Sequence, residues 1–250
     1  MSKTLLGWIL TFSLLGSAGS VVLAGVFLAF PRQVRSALIP CLLSYAVGTL
    51  MGAAFLGLLP QALEKAPPSR VLGVTLSGMV SFFALEKVIL WHHCHKQECA
   101  GRAGAVGPLI LFGDALHNLG DGVVIAAAFL SAVPLGIAAS LAIIAHEVPQ
   151  EVGDFAILLD AGYSRRRALV LNTASGLATV PGALLAYVAL GPVGAVVPYV
   201  LALSAASFIY IAVADLVPSL HQDVELASGL RQILLVLAGI GTVFWLGDAH

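Results

Sequence analysis

The chain has 250 residues, 59% of them hydrophobic and 10% charged, with a formal net charge of −1 and a mean hydropathy of +0.99. Soluble domains carry about 25% charge, so these figures exclude a soluble globular protein and point to the interior of a lipid bilayer. The near-neutral charge offers nothing to nucleic acid, and three cysteines (Cys41, Cys94, Cys99) do not make a disulfide framework.

A helix needs about 20 apolar residues to cross the hydrocarbon core. Eight runs qualify: Leu5–Phe30, Ala37–Leu63, Val71–Trp91, Val106–Leu130, Pro134–Leu159, Ala168–Leu190, Val193–Val217 and Leu230–Leu246. The first is too long for the apolar core of a signal peptide and is expected to be retained. PRQVRS, KAPPSR, HHCHKQECAGRAG, SAVP, DAGYSRRR, GPVG and HQDVELASG mark the joints. The predicted fold class is therefore an all-α integral membrane protein, one transmembrane domain over residues 1–250. A barrel does not fit, because the oily runs are long and do not alternate.

Basic residues set the expected orientation. With the N-terminus outside, the inner segments hold Arg32, Arg35, Lys87, Lys96, Arg102, Arg165, Arg166, Arg167 and Arg231, and the outer ones only Lys3, Lys65 and Arg70. That asymmetry predicts both termini outside the cytoplasm. Small residues recur within the spans, as in GTLMGAAFLG (Gly48–Gly57) and GLATVPGA (Gly176–Ala183), which suits close helix packing. GLLPQAL (Gly57–Leu63) ends span two and DLVPSLH (Asp215–His221) ends span seven, on opposite sides of the membrane. This pair hints at an inverted repeat of spans one to three with six to eight.

Chemistry concentrates in spans four and five. No Lys or Arg lies between Arg102 and Arg165, yet that interval holds Asp114, Asp121, Glu147, Glu151, Asp154 and Asp160. A carboxylate inside a membrane must be protonated, paired or bound to a cation, and such residues are functional by default. The partners on offer are a proton, His117 or His146, a residue from elsewhere, or a metal ion. In GDALHNLGDGVVIA, His117, Asn118 and Asp121 share one helical face; in HEVPQEVGDF, so do His146 with Gln150 and Glu147 with Glu151. If the two helices pack side by side, two imidazoles, two carboxylates and two amides converge, a set suited to zinc and its first-row neighbours. Pro149 predicts a bend in span five, and Gly120 and Gly122 allow close approach beside Asp121. Asp114, Glu151 and Asp154 fall on the cytoplasmic side of the two histidines, where they are expected to form an exit relay.

HEVPQ misses the HExxH protease pattern, because Gln150 replaces the second histidine and Pro149 interrupts the helix. An intramembrane metalloprotease is therefore disfavoured, and no enzyme activity is expected. A phosphate-binding loop of the GxxxxGK[ST] kind is also lacking from the sequence, which argues against direct ATP drive.

The pair HNLGDG (His117–Gly122) and HEVPQEVGDFAILL (His146–Leu159) resembles the two signature helices of the ZIP metal-ion transporters. AFLGLLPQALE (Ala54–Glu64), GMVSFFALEKVILWHHCH (Gly78–His95) and SFIYIAVADLVPSL (Ser207–Leu220) are similar to that family's second, third and seventh spans. The resemblance implies eight helices in a 3+2+3 arrangement, both termini outside, often as a homodimer, with a two-metal site on helices four and five. It implies that His117, Asp121, His146 and Glu147 serve one metal position. Asn118, Asp121, Glu147 and Gln150 would serve its neighbour, with the acids bridging. It also implies Zn2+ as cargo carried into the cytoplasm across a plasma or inner membrane. Many family members have histidine or glutamate in place of Gln150, so the second position is expected to be the weaker. Thr179 falls where some members carry an acid. His92, His93, Cys94, His95 and Cys99 form a separate cluster after span three, read as cytoplasmic loop contacts for metal. The alternatives are an importer of broader range (Fe2+, Mn2+, Cd2+) and a metal sensor that does not transport.

Overall fold

The computed structural model describes residues 3–94, 103–190, 194–221 and 225–248. Among them every regular element is helical. Eight helices follow in chain order: α1 (Lys3–Leu28), α2 (Arg32–Lys65), α3 (Pro68–Cys94), α4 (Ala103–Ser131), α5 (Val133–Asp160), α6 (Arg165–Leu190), α7 (Gly194–Leu220) and α8 (Leu226–Asp248). Each is long and apolar enough to cross a bilayer, and the protein is an integral, multi-pass membrane protein. Side chains are distributed accordingly. Val22, Leu76, Leu185, Val188 and Phe244 face outward, whereas Asp114, Asn118, Asp121, His146, Glu147, Glu151 and Asn172 are buried. Lipid replaces water as the outer solvent, so apolar side chains gain nothing by turning inward, while polar ones must find partners there.

Helix pairing follows a two-fold pattern. α2 packs on α8 and α7 on α3; α4 packs on α6 and α5 on α1; α5 packs on α2 and α4 on α7. Exchanging α1 with α6, α2 with α7, α3 with α8 and α4 with α5 leaves that pattern unchanged. This is an inverted repeat of three helices on each side of a central antiparallel pair. The two proline heptapeptides support the correspondence in detail. Wide π-type turns occupy Ala53–Leu58 in α2 and Ile211–Leu216 in α7, and a proline follows two residues later in each, Pro60 and Pro218. A proline ring collides with the carbonyl four residues before it, here Leu56 and Ala214, and both carbonyls lie in the wide turn, which makes room. α5 continues as one helix through Pro149.

Two helix pairs approach so closely that only glycine fits. A β-carbon on Gly122 of α4 would lie 2.0 Å from the Thr179 carbonyl oxygen of α6, and one on Gly182 of α6 would lie 2.1 Å from that of Leu119. Between α2 and α8 the same holds for Gly48 against Val236, at 2.1 Å, and Gly239 against Tyr45, at 2.5 Å. Such contact maximises dispersion where no hydrophobic force drives helices together. Gly120 is different, with open space beside it. Of the cluster after span three, His95 and Cys99 lie outside the described residues. His92, His93 and Cys94 are described only as the last turn of α3.

Candidate metal centre

α4 and α5 lie side by side, and their 3.6-residue period turns His117 and Asp121 of one toward His146 and Glu147 of the other. The Nε2 atoms of the two histidines are 3.2 Å apart. His117 Nε2 lies 3.8 Å from Asp121 Oδ2 and 3.4 Å from Glu147 Oε1. His146 Nε2 lies 3.4 Å from Asp121 Oδ2 and 3.6 Å from Glu147 Oε1. Five of the six separations are thus 3.2–3.8 Å, and each of the four residues offers a ligand atom within 4.8 Å of the others, a spacing that suits a tetrahedron. Zinc bonds of about 2.0–2.1 Å in tetrahedral geometry put neighbouring ligand atoms about 3.3 Å apart, so the cage has the right size.

The electrostatics agree with the geometry. Asp121 Oδ2 and both oxygens of Glu147 are buried without a hydrogen-bond donor among the described residues. Buried acceptors of this kind call for a proton, a donor or a cation. His146 is set as a ligand by its other nitrogen: Nδ1 lies 3.0 Å from the Ala142 carbonyl oxygen. A carbonyl only accepts, so Nδ1 carries a proton, which in the neutral ring leaves the Nε2 lone pair to the cage. His117 is the accessible member, with 26% of its side chain exposed, against 4% or less for the other three.

A second cluster adjoins the first. Asp114, Glu147 and Glu151 each offer a carboxylate oxygen within 4.8 Å of the others, and Glu147 belongs to both groups. Asp114 Oδ2 and Glu151 Oε1 are also buried without a donor. Asn118 and Gln150 turn their amide nitrogens toward Asp114 of this cluster. Asn118 Nδ2 donates to Asp114 Oδ1 at 3.0 Å and to its carbonyl at 3.2 Å, and Gln150 Nε2 donates to the same Oδ1 at 3.0 Å. Asn118 Oδ1 accepts from the Thr179 hydroxyl at 2.9 Å. Asp154, three residues beyond Glu151, is half-buried and outside both clusters.

A third helix joins here. Asn172 of α6 is buried and donates through Nδ2 to the Glu151 carbonyl, at 3.2 Å, and to its carboxylate. Sequence reading passed over this residue. Its only signal was an amide inside an oily run, on the same face as Thr179, seven residues later.

Comparison with known proteins decides the family. The family model described as ZIP Zinc transporter matches residues 91–247. The chain is 35% identical over 253 residues to zinc transporter ZIP13 of Pongo abelii, covering 91% of this chain and 75% of that protein. This chain belongs to the ZIP family. Zinc transporter ZIP13 of Homo sapiens is 32% identical, with 91% and 78% covered. Zinc transporter ZIP4 of Mus musculus is 45% identical over 113 residues, 45% of this chain and 17% of that one. As a ZIP member the protein is a metal transporter, and the relatives it matches are zinc transporters.

Proposed function

We propose that this ZIP protein carries zinc into the cytoplasm through the site between α4 and α5. His117, Asp121, His146 and Glu147 hold the ion first. Asp114, Glu147 and Glu151 receive it next, and Asp154 continues the path. Asn118 and Gln150 serve the second position by fixing Asp114 rather than by giving an amide oxygen to the ion. The observation that carries this reading is the tetrahedral cage of two imidazole nitrogens and two carboxylate oxygens, buried in a region whose sequence supplies no Lys or Arg. Mixed nitrogen and oxygen donors favour zinc over Mn2+, which prefers oxygen.

Direction rests on the charge asymmetry of the loops and on a cavity of about 490 Å3. The cavity is lined by Glu151 and Asn172 and also by Ala29, Arg35, Leu159 and Arg165, which stand at helix ends in the Arg-rich segments. Positive segments face the cytoplasm, so the cavity opens inward and both termini lie outside.

Proteoliposome uptake is the test, with Zn2+, Mn2+, Fe2+ and Cd2+ offered separately to vesicles of known sidedness. Zinc flux that His117→Ala and Glu147→Ala abolish is the expected result. Zinc binding without flux in the native chain would sink transport in favour of a sensor. Flux only toward the Lys65 side would reverse the direction.

A further inference from the structure

Thr179 of α6 ends a chain of hydrogen bonds that begins at Asp114. Asn118 Nδ2 lies 3.0 Å from Asp114 Oδ1 and 3.2 Å from the Asp114 carbonyl oxygen. A carbonyl cannot donate, so the nitrogen belongs on that side and the amide has one orientation. Its oxygen then meets the Thr179 hydroxyl at 2.9 Å. Both residues are buried, Asn118 at 0% exposure and Thr179 at 1%. The contact exists because α4 and α6 touch at their glycine seam: Gly122, one turn after Asn118, lies against the Thr179 carbonyl. The hydroxyl has one proton and two acceptors in reach, Asn118 Oδ1 and the Gly176 carbonyl oxygen, at 2.8 Å. An amide oxygen cannot donate, so the contact with Asn118 is favourable only while the hydroxyl proton points at it.

We infer that Thr179 is a positioning residue of the carboxylate cluster: its hydroxyl fixes the Asn118 amide, and Asn118 in turn holds Asp114. The inference rests on the reading of Asp114 as a step on the path of the ion. Without the hydroxyl, Asn118 Oδ1 loses its donor and the amide is no longer bound to one orientation. Turned over, it sets an oxygen rather than a nitrogen against the Asp114 carboxylate. α6 then supports two of the cluster's three acids from one face. Thr179 acts on Asp114 through Asn118, and Asn172, seven residues earlier, donates to Glu151 directly.

The test is a double-mutant cycle in the full chain, read by zinc uptake into proteoliposomes per amount of reconstituted protein. Thr179→Val keeps nearly the same shape and removes the hydroxyl. Its maximal rate should fall about fivefold, the equivalent of ~1 kcal/mol, with half-saturation within about twofold of native. Thr179→Ser keeps the hydroxyl and should stay within about twofold of native in both. In an Asn118→Leu background the loss from Thr179→Val should vanish, because the hydroxyl then has no amide to orient. Titration calorimetry with zinc on the solubilised chain runs the same cycle without transport. The weaker of two binding steps should loosen about fivefold in Thr179→Val, and the pair should bind no more weakly than Asn118→Leu alone. A valine variant with the native rate, a serine variant as slow as valine, or losses that multiply in the pair would each overturn the inference. Multiplied losses would confine the hydroxyl to the Gly176 carbonyl of its own helix. If Thr179→Val does not accumulate, Thr179→Ala takes its place in both measurements. Native protein without any flux would sink the transport reading instead, and the calorimetric cycle would still decide the role of Thr179.

Discussion

The two clusters that share Glu147 differ in almost every other respect. The upper one joins two imidazoles to two carboxylates and closes to the dimensions of a zinc tetrahedron. The lower one has only carboxylates, two of its three steadied by amides: Asp114 by Asn118 and Gln150, Glu151 by Asn172. Nitrogen donors discriminate among first-row metals, while oxygen donors bind harder ions with less discrimination. On the path proposed above, the contrast is a division of labour, in which the two-histidine cage chooses the ion and the carboxylates pass it on.

Four substitutions break or sharpen that contrast. Removing the shared residue acts on both clusters at once. Partners outside the ligand shell already cost 10–100-fold, so Glu147→Ala should lower zinc uptake by more than about 100-fold; residual uptake above a tenth of native would show that the clusters do not depend on a common bridge. His146→Ala removes a nitrogen from the upper cage only. Its zinc affinity should fall by about 100-fold and its Mn2+ affinity far less, and equal losses by titration calorimetry would erase the difference in selectivity. Asp114→Asn acts on the lower cluster only. The maximal rate should drop about tenfold while half-saturation stays within about twofold; a change confined to half-saturation would move Asp114 into the binding step. Gln150→Leu is the mildest. It strips one hydrogen bond from Asp114, worth about 1 kcal/mol, and should slow zinc flux about fivefold in rapid-uptake measurements. An unchanged rate would leave Asn118 as the sole support that Asp114 needs.

Much of this is legible in the sequence. Length and oiliness defined the spans, and the run without Lys or Arg between Arg102 and Arg165 located the chemistry. Four-residue spacings put His117 with Asp121 on one face, because helical period is a local property. The amides were harder to read. Asn118 and Gln150 have an oxygen end and a nitrogen end, and which one faces inward depends on the acid nearby. Asp114, four residues before Asn118, attracts both nitrogens. Asn172 lay further from reach. Its contact with Glu151 joins α6 to α5 across 21 positions of sequence, and α6 sits close enough only because Gly122 and Gly182 have no side chains.

Those glycine contacts have a mechanical consequence. One tight seam fastens α4 to α6, and a second fastens α2 to α8, on which α5 rests. The upper cage draws His117 and Asp121 from the first body and His146 and Glu147 from the second. On the proposed path a bound ion adds a further tie across this boundary, beside the hydrogen bonds from Gln150 to Asp114 and from Asn172 to Glu151. On that path, loading and unloading would coincide with fastening and freeing the boundary. A disulfide across α4 and α6 should leave the cycle running, whereas one across α4 and α5 should stop it.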